Sequence, residues 1–394
     1  MGPLEGIRVV ELGVMIAVPA ATESLAGLGA SVIKIEDTGS GDELRKYGSS
    51  RNGMSTWFAN ANSGKRSLST DLTQKEGKEI LWKLLEEADI FVQGFRTGVT
   101  EKLGFGYAQT SQRNPSLIYC SSTGFGETGP YRSLPAYDPI IQGLSGWAGI
   151  QKTESGPTLH KTMVSDKTAA MYNTQAILAA LVQRARTGEG CFIEASMLDS
   201  NIMFNWPDVM MQCSLLEDDG HHLPNVLEGY RLYKCKDGYV TVSPGTDKQW
   251  EAFCNSLGAS SELKDKKLRT SKDRAENIEY FFGKIASLVN QFEREWIVEK
   301  LREAGVPAGP VYSPEQVKED PHVKARGVVV EKLHNKIGKF LGPSPPAKMF
   351  GVNLDLSDAP EQGQHTFEIL RELGYDETSQ AKMLKQGIIK SNRH

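Results

Sequence analysis

Long apolar runs are missing from this 394-residue chain: nowhere do 18 apolar residues follow one another, which excludes an ordinary membrane-spanning helix. The N-terminal MGPLEGIRVVELG lacks a basic region followed by an apolar run and a small-residue cleavage site. A soluble, untargeted, cytoplasmic protein is therefore expected. Neither sign of charge dominates, with 45 Lys+Arg against 49 Asp+Glu and a formal net charge of -4, so no basic field draws nucleic acid or an anionic membrane. Small molecules and other protein chains are the expected partners. Cysteine is scarce: Cys120, Cys191, Cys213, Cys235 and Cys254 are far apart, odd in number and form no CxxC pair, which argues against a disulfide framework. Histidine is scarce too. His221 and His222 are adjacent in a loop-like stretch, where neighbouring side chains do not converge on one ion, so no metal site is expected. No G-x-S-x-G elbow is present, which disfavours a serine hydrolase.

What is present is an alternation of strands and helices. GIRVVELGVM, SVIKIE, ADIFVQGF, SLIYCSSTGFG and CFIEASMLD have strand composition, with PAATESLAGLGA and EGKEILWKLLEEA as helical segments among them. This pattern predicts a parallel sheet covered on both faces. After about Ser200 the character changes. EDDGHHLPNVLEGY reads as loop, YRLYKCKDGYVTVSPG as two short strands joined by a Lys-Asp-Gly turn, and charged helices follow as in a smaller second domain. The stretch from about Gly327 to Asn353 reads as irregular, and the tail as two short amphipathic helices.

The opening strand-helix-strand unit invites a dinucleotide reading, with Glu36 where a ribose-binding acid would stand. The loop LGVMIAVPAA, however, holds Gly13 alone where three glycines are needed, and the run GFGETGP at Gly124–Pro130 opens no helix and reads as a loop. NAD is not expected.

MVSDKTAAMY, from Met163 to Tyr172, places Asp166 at the start of a helix whose AILAALV segment is apolar all round, as in a helix buried on a sheet. Free backbone N–H groups at such an N-terminus favour a carboxylate held ionised and aimed outward. The dipole contributes only about 0.3–1 kcal/mol, and aspartate is a common helix cap, so on position alone capping is the favoured role and chemistry the alternative. In LPAYDPIIQGLSGW, Asp138 before Pro139 reads as the N-cap of its own helix, leaving Tyr137 free to face a ligand.

Taken together, GIRVVELG, LGASVIKIE with GSGDELR, GKRSLSTDL, KLGFGY, NPSLIYCSSTGFGETGPY, AYDPIIQGLSG, the Asp166 helix ending in RTGEG, SMLD, LYKCKDGY, and AGVPAGPV before DPHVKARG resemble the class III CoA transferases over nearly the whole chain. That superfamily includes formyl-CoA and carnitine CoA transferases and α-methylacyl-CoA racemase. The resemblance implies an α/β fold: a Rossmann-like large domain with a mostly parallel sheet (1–205), a smaller α+β domain (225–325), and a linker and tail returning to the large domain (326–394). It implies a ring-shaped chain that interlocks with a second copy as a homodimer. It implies Asp166 as the carboxylate nucleophile that moves coenzyme A from an acyl-CoA to a carboxylic acid without metal or NAD. Contacts to CoA are implied for Met15, Ile16, Ala17, Phe95, Arg96, Lys102 and Tyr137.

Four departures from the family pattern bear on the site. Ile16 stands where a glutamine side chain often helps bind the oxyanion, leaving the backbone N–H of Ala17 to serve. Asp37 stands where some relatives have an arginine for the adenosine phosphate, and Gly94 where some have asparagine; Lys102, then Arg96 and Lys65, are the expected phosphate contacts, with solvated surface charge the alternative for Lys65 and Arg66. Tyr137 occupies the position of the racemase histidine. A tyrosine of unperturbed pKa about 10 is a poor base for an α-proton where a histidine of about 6.5 suits, so transfer is favoured over racemisation. A CoA-binding scaffold without turnover is the third reading. Specificity for the acid is expected near Tyr230–Tyr233 or Ser243–Thr246.

Overall fold

The computed structural model describes residues 2–153, 155–216, 226–347, 349 and 356–392; His221 and His222 lie outside them. The chain forms two compact units, Met1–Leu216 with Val328–His394, and Glu217–Gly327.

The first unit is built on a seven-stranded sheet. Its parallel strands are β1 (Arg8–Leu12), β2 (Ser31–Glu36), β3 (Lys65–Thr70), β4 (Ile90–Gln93), β5 (Ile118–Thr123) and β6 (Cys191–Ser196). The spatial order is β3-β2-β1-β4-β5-β6, and the short strand Ile389–Lys390 adds antiparallel to the β3 edge. The chain runs from β1 outward through β2 to β3 and then crosses back to β4 on the other side of β1, so the order reverses between β1 and β4, and the carboxyl ends of those two strands are where an open α/β sheet forms its ligand crevice. The helices that position the site are α1 (Ala17–Ala26), α2 (Lys75–Glu87), α3 (Asp138–Leu144), α4 (Val164–Thr187) and α5 (Met197–Asn205). One apolar cluster, with Ile80, Leu81, Phe91 and Phe105, lies on the α2 side of the sheet; the other, with Val18, Leu25, Val92 and Ile177, lies on the α1 and α4 side.

α4 is not buried all round as its composition suggested. Ile177 and Ala180 face the sheet, but Met171 and Val182 are 65% and 54% exposed, because only one side of the helix has a layer beneath it. The stretch after Gly327 is also more regular than expected: Val329–His334 and Gly338–Pro343 pair as a hairpin. Its turn was hidden in Asn335–Gly338, where Gly338 takes φ +77° and the buried His334 ring accepts the Lys336 N–H at 3.0 Å. Among the described residues no helix is long and apolar enough to cross a membrane.

The second unit carries a three-stranded antiparallel sheet, in which Tyr233–Lys234 and Tyr239–Val242 form the expected pair joined through the Lys-Asp-Gly turn, and Ala308–Pro310 is the third strand. Trp250, Phe253, Phe281, Ile285 and Val298 fill its core. Arg274, buried among them, is paired with Asp247 at 2.9 Å.

A cluster of ions runs through the first unit's interior. Glu11 of β1 is bound by Lys34 of β2 at 2.7 Å and Lys65 of β3 at 2.8 Å, and takes the Thr22 hydroxyl at 2.6 Å. Lys34 also pairs with Asp42 at 2.9 Å, and all four charged side chains are fully buried. The two lysines hold the Glu11 carboxyl down at about 2 against the opposing effect of burial. Removing one member leaves uncompensated charge in the core. Glu11→Ala is expected to lower stability by about 3–5 kcal/mol, read as a lower urea midpoint at unchanged slope.

Candidate active site

Two loops leave the crevice at the carboxyl ends of β1 and β4. In the first, Gly13 has no room for a side chain, since an added Cβ would come within 2.5 Å of Val18 Cβ, and this allows the first turn of α1 to fold back onto the loop. Met15 then takes a left-handed backbone with φ +64°, and its N–H donates to Asp42 Oδ1 at 3.1 Å. The Ile16 side chain turns inward among Leu44, Met54 and Phe58 and is 5% exposed, so at this position only the backbone is offered to a ligand. Ala17 opens α1, packs in a cluster with Ala169 of α4, and its backbone N–H faces the Asp166 carboxyl and favours its ionised form.

Asp166 sits in the first turn of α4, half-buried. It does not cap its helix. The cap is Asp138, whose Oδ2 accepts the N–H of Ser165 at 2.7 Å and of Asp166 at 3.2 Å, while Oδ1 accepts from Gln142 Nε2. Asp138 is thus the first residue of α3, with Tyr137 at the N-cap position, and serves a different helix from the one its sequence suggested. The same fact corrects the expectation that Asp166 is held ionised. Burial, and then the Asp138 charge already seated on the helix N-terminus, push its carboxyl up from 3.8 to about 7, against the pull of the Ala17 N–H.

The second loop begins at Gly94. Phe95 is half-buried, and its N–H donates to Gln93 Oε1 at 2.7 Å; Gln93 Nε2 in turn reaches Ser121 Oγ at 2.6 Å. Arg96 and Lys102 are exposed, and among the described residues neither has an ion-pair partner. Tyr137 is 68% exposed. Lys65 is neither a phosphate contact nor surface charge. Besides Glu11 it donates to Pro19 O at 2.8 Å and Asn62 Oδ1 at 2.9 Å, all inside the core. Arg66 pairs with Glu368 and Glu372 of the tail helix at 3.1 and 2.6 Å. Asp37 shapes its own loop, taking the Gly39 N–H at 2.6 Å. Glu36 is occupied by Arg45 at 2.7 Å and by the Ser67 hydroxyl at 2.6 Å, which leaves no ribose role for it.

Beyond β2 the structure adds cations that sequence reasoning missed. A cavity of about 320 Å³ is lined by Ser40, Arg45, Lys46, Asn52, Lys336 and Lys390 among others. Glu11 and Lys34 were missed as partners too, although a charge inside an otherwise apolar strand, as in VVELG and SVIKIE, demands a buried counter-charge. Among the described residues no group of three or more His, Cys, Asp or Glu side chains could hold a metal ion.

The family model described as CoA-transferase family III matches residues 4–366. The chain is 31% identical over 409 residues to a succinyl-CoA:glutarate CoA-transferase of Mus musculus, covering 100% of this chain and 91% of that protein. It is 33% identical to a succinate–glutarate CoA-transferase of Agrobacterium fabrum, covering 94% and 96%, and 30% identical to a formyl-CoA:oxalate CoA-transferase of Shigella sonnei, covering 97% and 98%. A crystal structure of a CAIB/BAIF family protein from Brucella suis superposes with a TM-score of 0.83 at 31% identity, covering 94% of this chain and 99% of that one. The chain belongs to CoA-transferase family III and is an enzyme.

The raised Asp166 pKa has a thermodynamic consequence. Between 3.8 and about 7 the folded state holds a proton that the unfolded state has released, so this group's contribution to stability falls as pH rises through that window. Asp166→Asn lacks the fall. Its Tm relative to the wild type is expected to climb between pH 4 and pH 7 and level off above, measured by thermal unfolding across pH.

Proposed function

We propose that this enzyme moves CoA from an acyl-CoA thioester to a free carboxylic acid, with Asp166 as the covalent nucleophile. The observation that carries the reading is the Asp166 carboxyl, half-buried beside the Ala17 N–H at the mouth of the β1 crevice, with a proton affinity near neutrality. A carboxylate of that basicity is a stronger nucleophile than an ordinary surface aspartate, and partial exclusion of water protects an anhydride once formed. An Asp166 oxygen attacks the thioester carbonyl, forming a mixed anhydride as CoA thiolate leaves. The thiolate attacks the aspartyl carbonyl, giving an aspartyl-CoA thioester and releasing the donor's acid. The acceptor carboxylate attacks that thioester, forming a second anhydride and freeing the thiolate, which takes the new acyl group and restores the Asp166 carboxylate. Each exchange converts one activated carboxyl into another, so placement and oxyanion donors carry the catalysis; the Ala17 N–H is the donor that this loop supplies.

Arg96 and Lys102, exposed and without ion-pair partners among the described residues, are the groups for the CoA phosphates, with Lys46 at the cavity beyond β2 as a further cation. Relatives named for glutarate and oxalate make a short dicarboxylate the first acceptor to assay. The proposal includes the ring-shaped, interlocked homodimer. Met171, Met203, Phe204 and Trp206 are 65%, 61%, 45% and 48% exposed on one chain, an apolar surface that a second copy would cover.

Asp166→Ala is expected to lower CoA exchange by at least about a thousandfold, and hydroxylamine added with acyl-CoA is expected to modify Asp166 in the wild type alone, as read by peptide mass spectrometry. Log kcat/KM is expected to rise with pH, with a limiting slope of about one, up to about 7, where Asp166 is half ionised, and to level off above it. Deuterium uptake at the α-carbon of a 2-methylacyl-CoA with no CoA exchange would overturn the proposal in favour of racemisation.

A further inference from the structure

Met15 and Asn52 are the two non-glycine residues with positive φ among the described residues, and Met15 lies two positions before the Ala17 N–H that meets Asp166. A left-handed methionine persists only where its surroundings fix it. Here the fixing groups are the buried ions. Lys34 Nζ donates to the Gly13 carbonyl at 2.7 Å, and Asp42 Oδ1 accepts the Met15 N–H at 3.1 Å, so the peptide units on both sides of Val14 are tied. On the far side of Ala17, Lys65 Nζ donates to the Pro19 carbonyl at 2.8 Å. Lys34, Asp42 and Lys65 are joined through Glu11 and by direct ion pairs. Residues 13, 15 and 19 are therefore anchored to one charge cluster, and Ala17 lies between them.

Stability alone gives no reason for this cluster, because apolar side chains of the same volume commonly hold a core as well as a buried ion network does. A network does what apolar packing cannot: it binds a chosen carbonyl and a chosen N–H and so fixes the direction of neighbouring amides. We infer that Lys34 and Asp42 are positioning residues for CoA transfer, setting the Gly13–Ile16 turn so that the Ala17 N–H is aimed at the Asp166 carboxyl and the acyl oxygen beside it. The inference rests on Asp166 being the nucleophile.

The test compares Asp42→Ala and Lys34→Met with Ile80→Ala, a core substitution remote from the turn, and with Asp166→Ala as a check on the premise. Rates are taken per folded protomer by circular dichroism. Asp42→Ala and Lys34→Met are expected to lower kcat by about 10- to 100-fold with KM for acyl-CoA within about threefold, and to move the ascending limb of kcat/KM to higher pH, since the misdirected Ala17 N–H no longer favours the Asp166 carboxylate. Asp138, the ionisable group facing Asp166 from α3, is the same in every variant. Ile80→Ala is expected to lower Tm and leave kcat and the inflection unchanged. If Asp42→Ala is insoluble, Asp42→Asn carries the same expectation, because one amide oxygen cannot serve both the Met15 N–H and Lys34. Folded variants with wild-type kcat and inflection overturn the inference, as does the same pH shift in Ile80→Ala. An inactive Asp166→Ala beside a normal Asp42→Ala sinks the inference alone, whereas an active Asp166→Ala sinks the nucleophile reading beneath it.

Discussion

Two carboxylates stand at the start of α4, and there are backbone N–H groups for one of them. Asp138 reaches across from α3 and takes the amides of Ser165 and Asp166, while its other oxygen is held by Gln142. Gln142 also donates to the carbonyls of His160 and Thr162, which ties down the segment leading into the helix. With the cap supplied from outside, the Asp166 side chain is released from the usual role of an aspartate in a first turn and faces a neighbouring negative charge. A self-capping aspartate would be a strong acid and a weak nucleophile. The site depends on that exchange of roles.

The loop opposite is governed by the same economy of placement. Glu11, Lys34, Lys65 and Asp42 lie on or just beyond three adjacent strands and meet beneath the first turn of α1. Burying four charges is tolerable because each is met by ions and by hydrogen bonds of good length, with the Gly13 and Pro19 carbonyls among the acceptors. The price is rigidity of the loop, which is what a covalent site requires of its surroundings.

Most of the sheet was legible because β1, β2, β4 and β5 carry largely apolar runs bounded by turns, as strands buried on both faces do, and the half-exposed edge strand β6 opens on an apolar run of its own. β3 was not read as a strand. Its KRSLST has alternating polar residues that look solvent-facing, yet Lys65, Ser67, Ser69 and Thr70 are buried because Glu11, Glu36 and the tail segment supply partners. The hairpin after Gly327 was lost in a similar way, its turn lacking the usual Asn-Gly or Asp-Gly pair. Asp166 was legible as a residue but not in its protonation, since that depends on Asp138, twenty-eight positions away in sequence. Nor could spacing reveal that Ile16 points inward or that Lys65 is enclosed, for both depend on which neighbour fills the space beside them.

The strand Ile389–Lys390 closes the β3 edge, and Thr366 of the tail holds both Ser69 and Lys390. The sheet's border is thus completed by residues that leave the ribosome more than three hundred positions after the strand they cover. Until then β3 presents open backbone groups to whatever is nearby, and its lysine, arginine, serines and threonine are poor material for pairing with a stranger. The polar composition that concealed this strand from pattern reading would protect the half-made chain from sticking to its neighbours during synthesis.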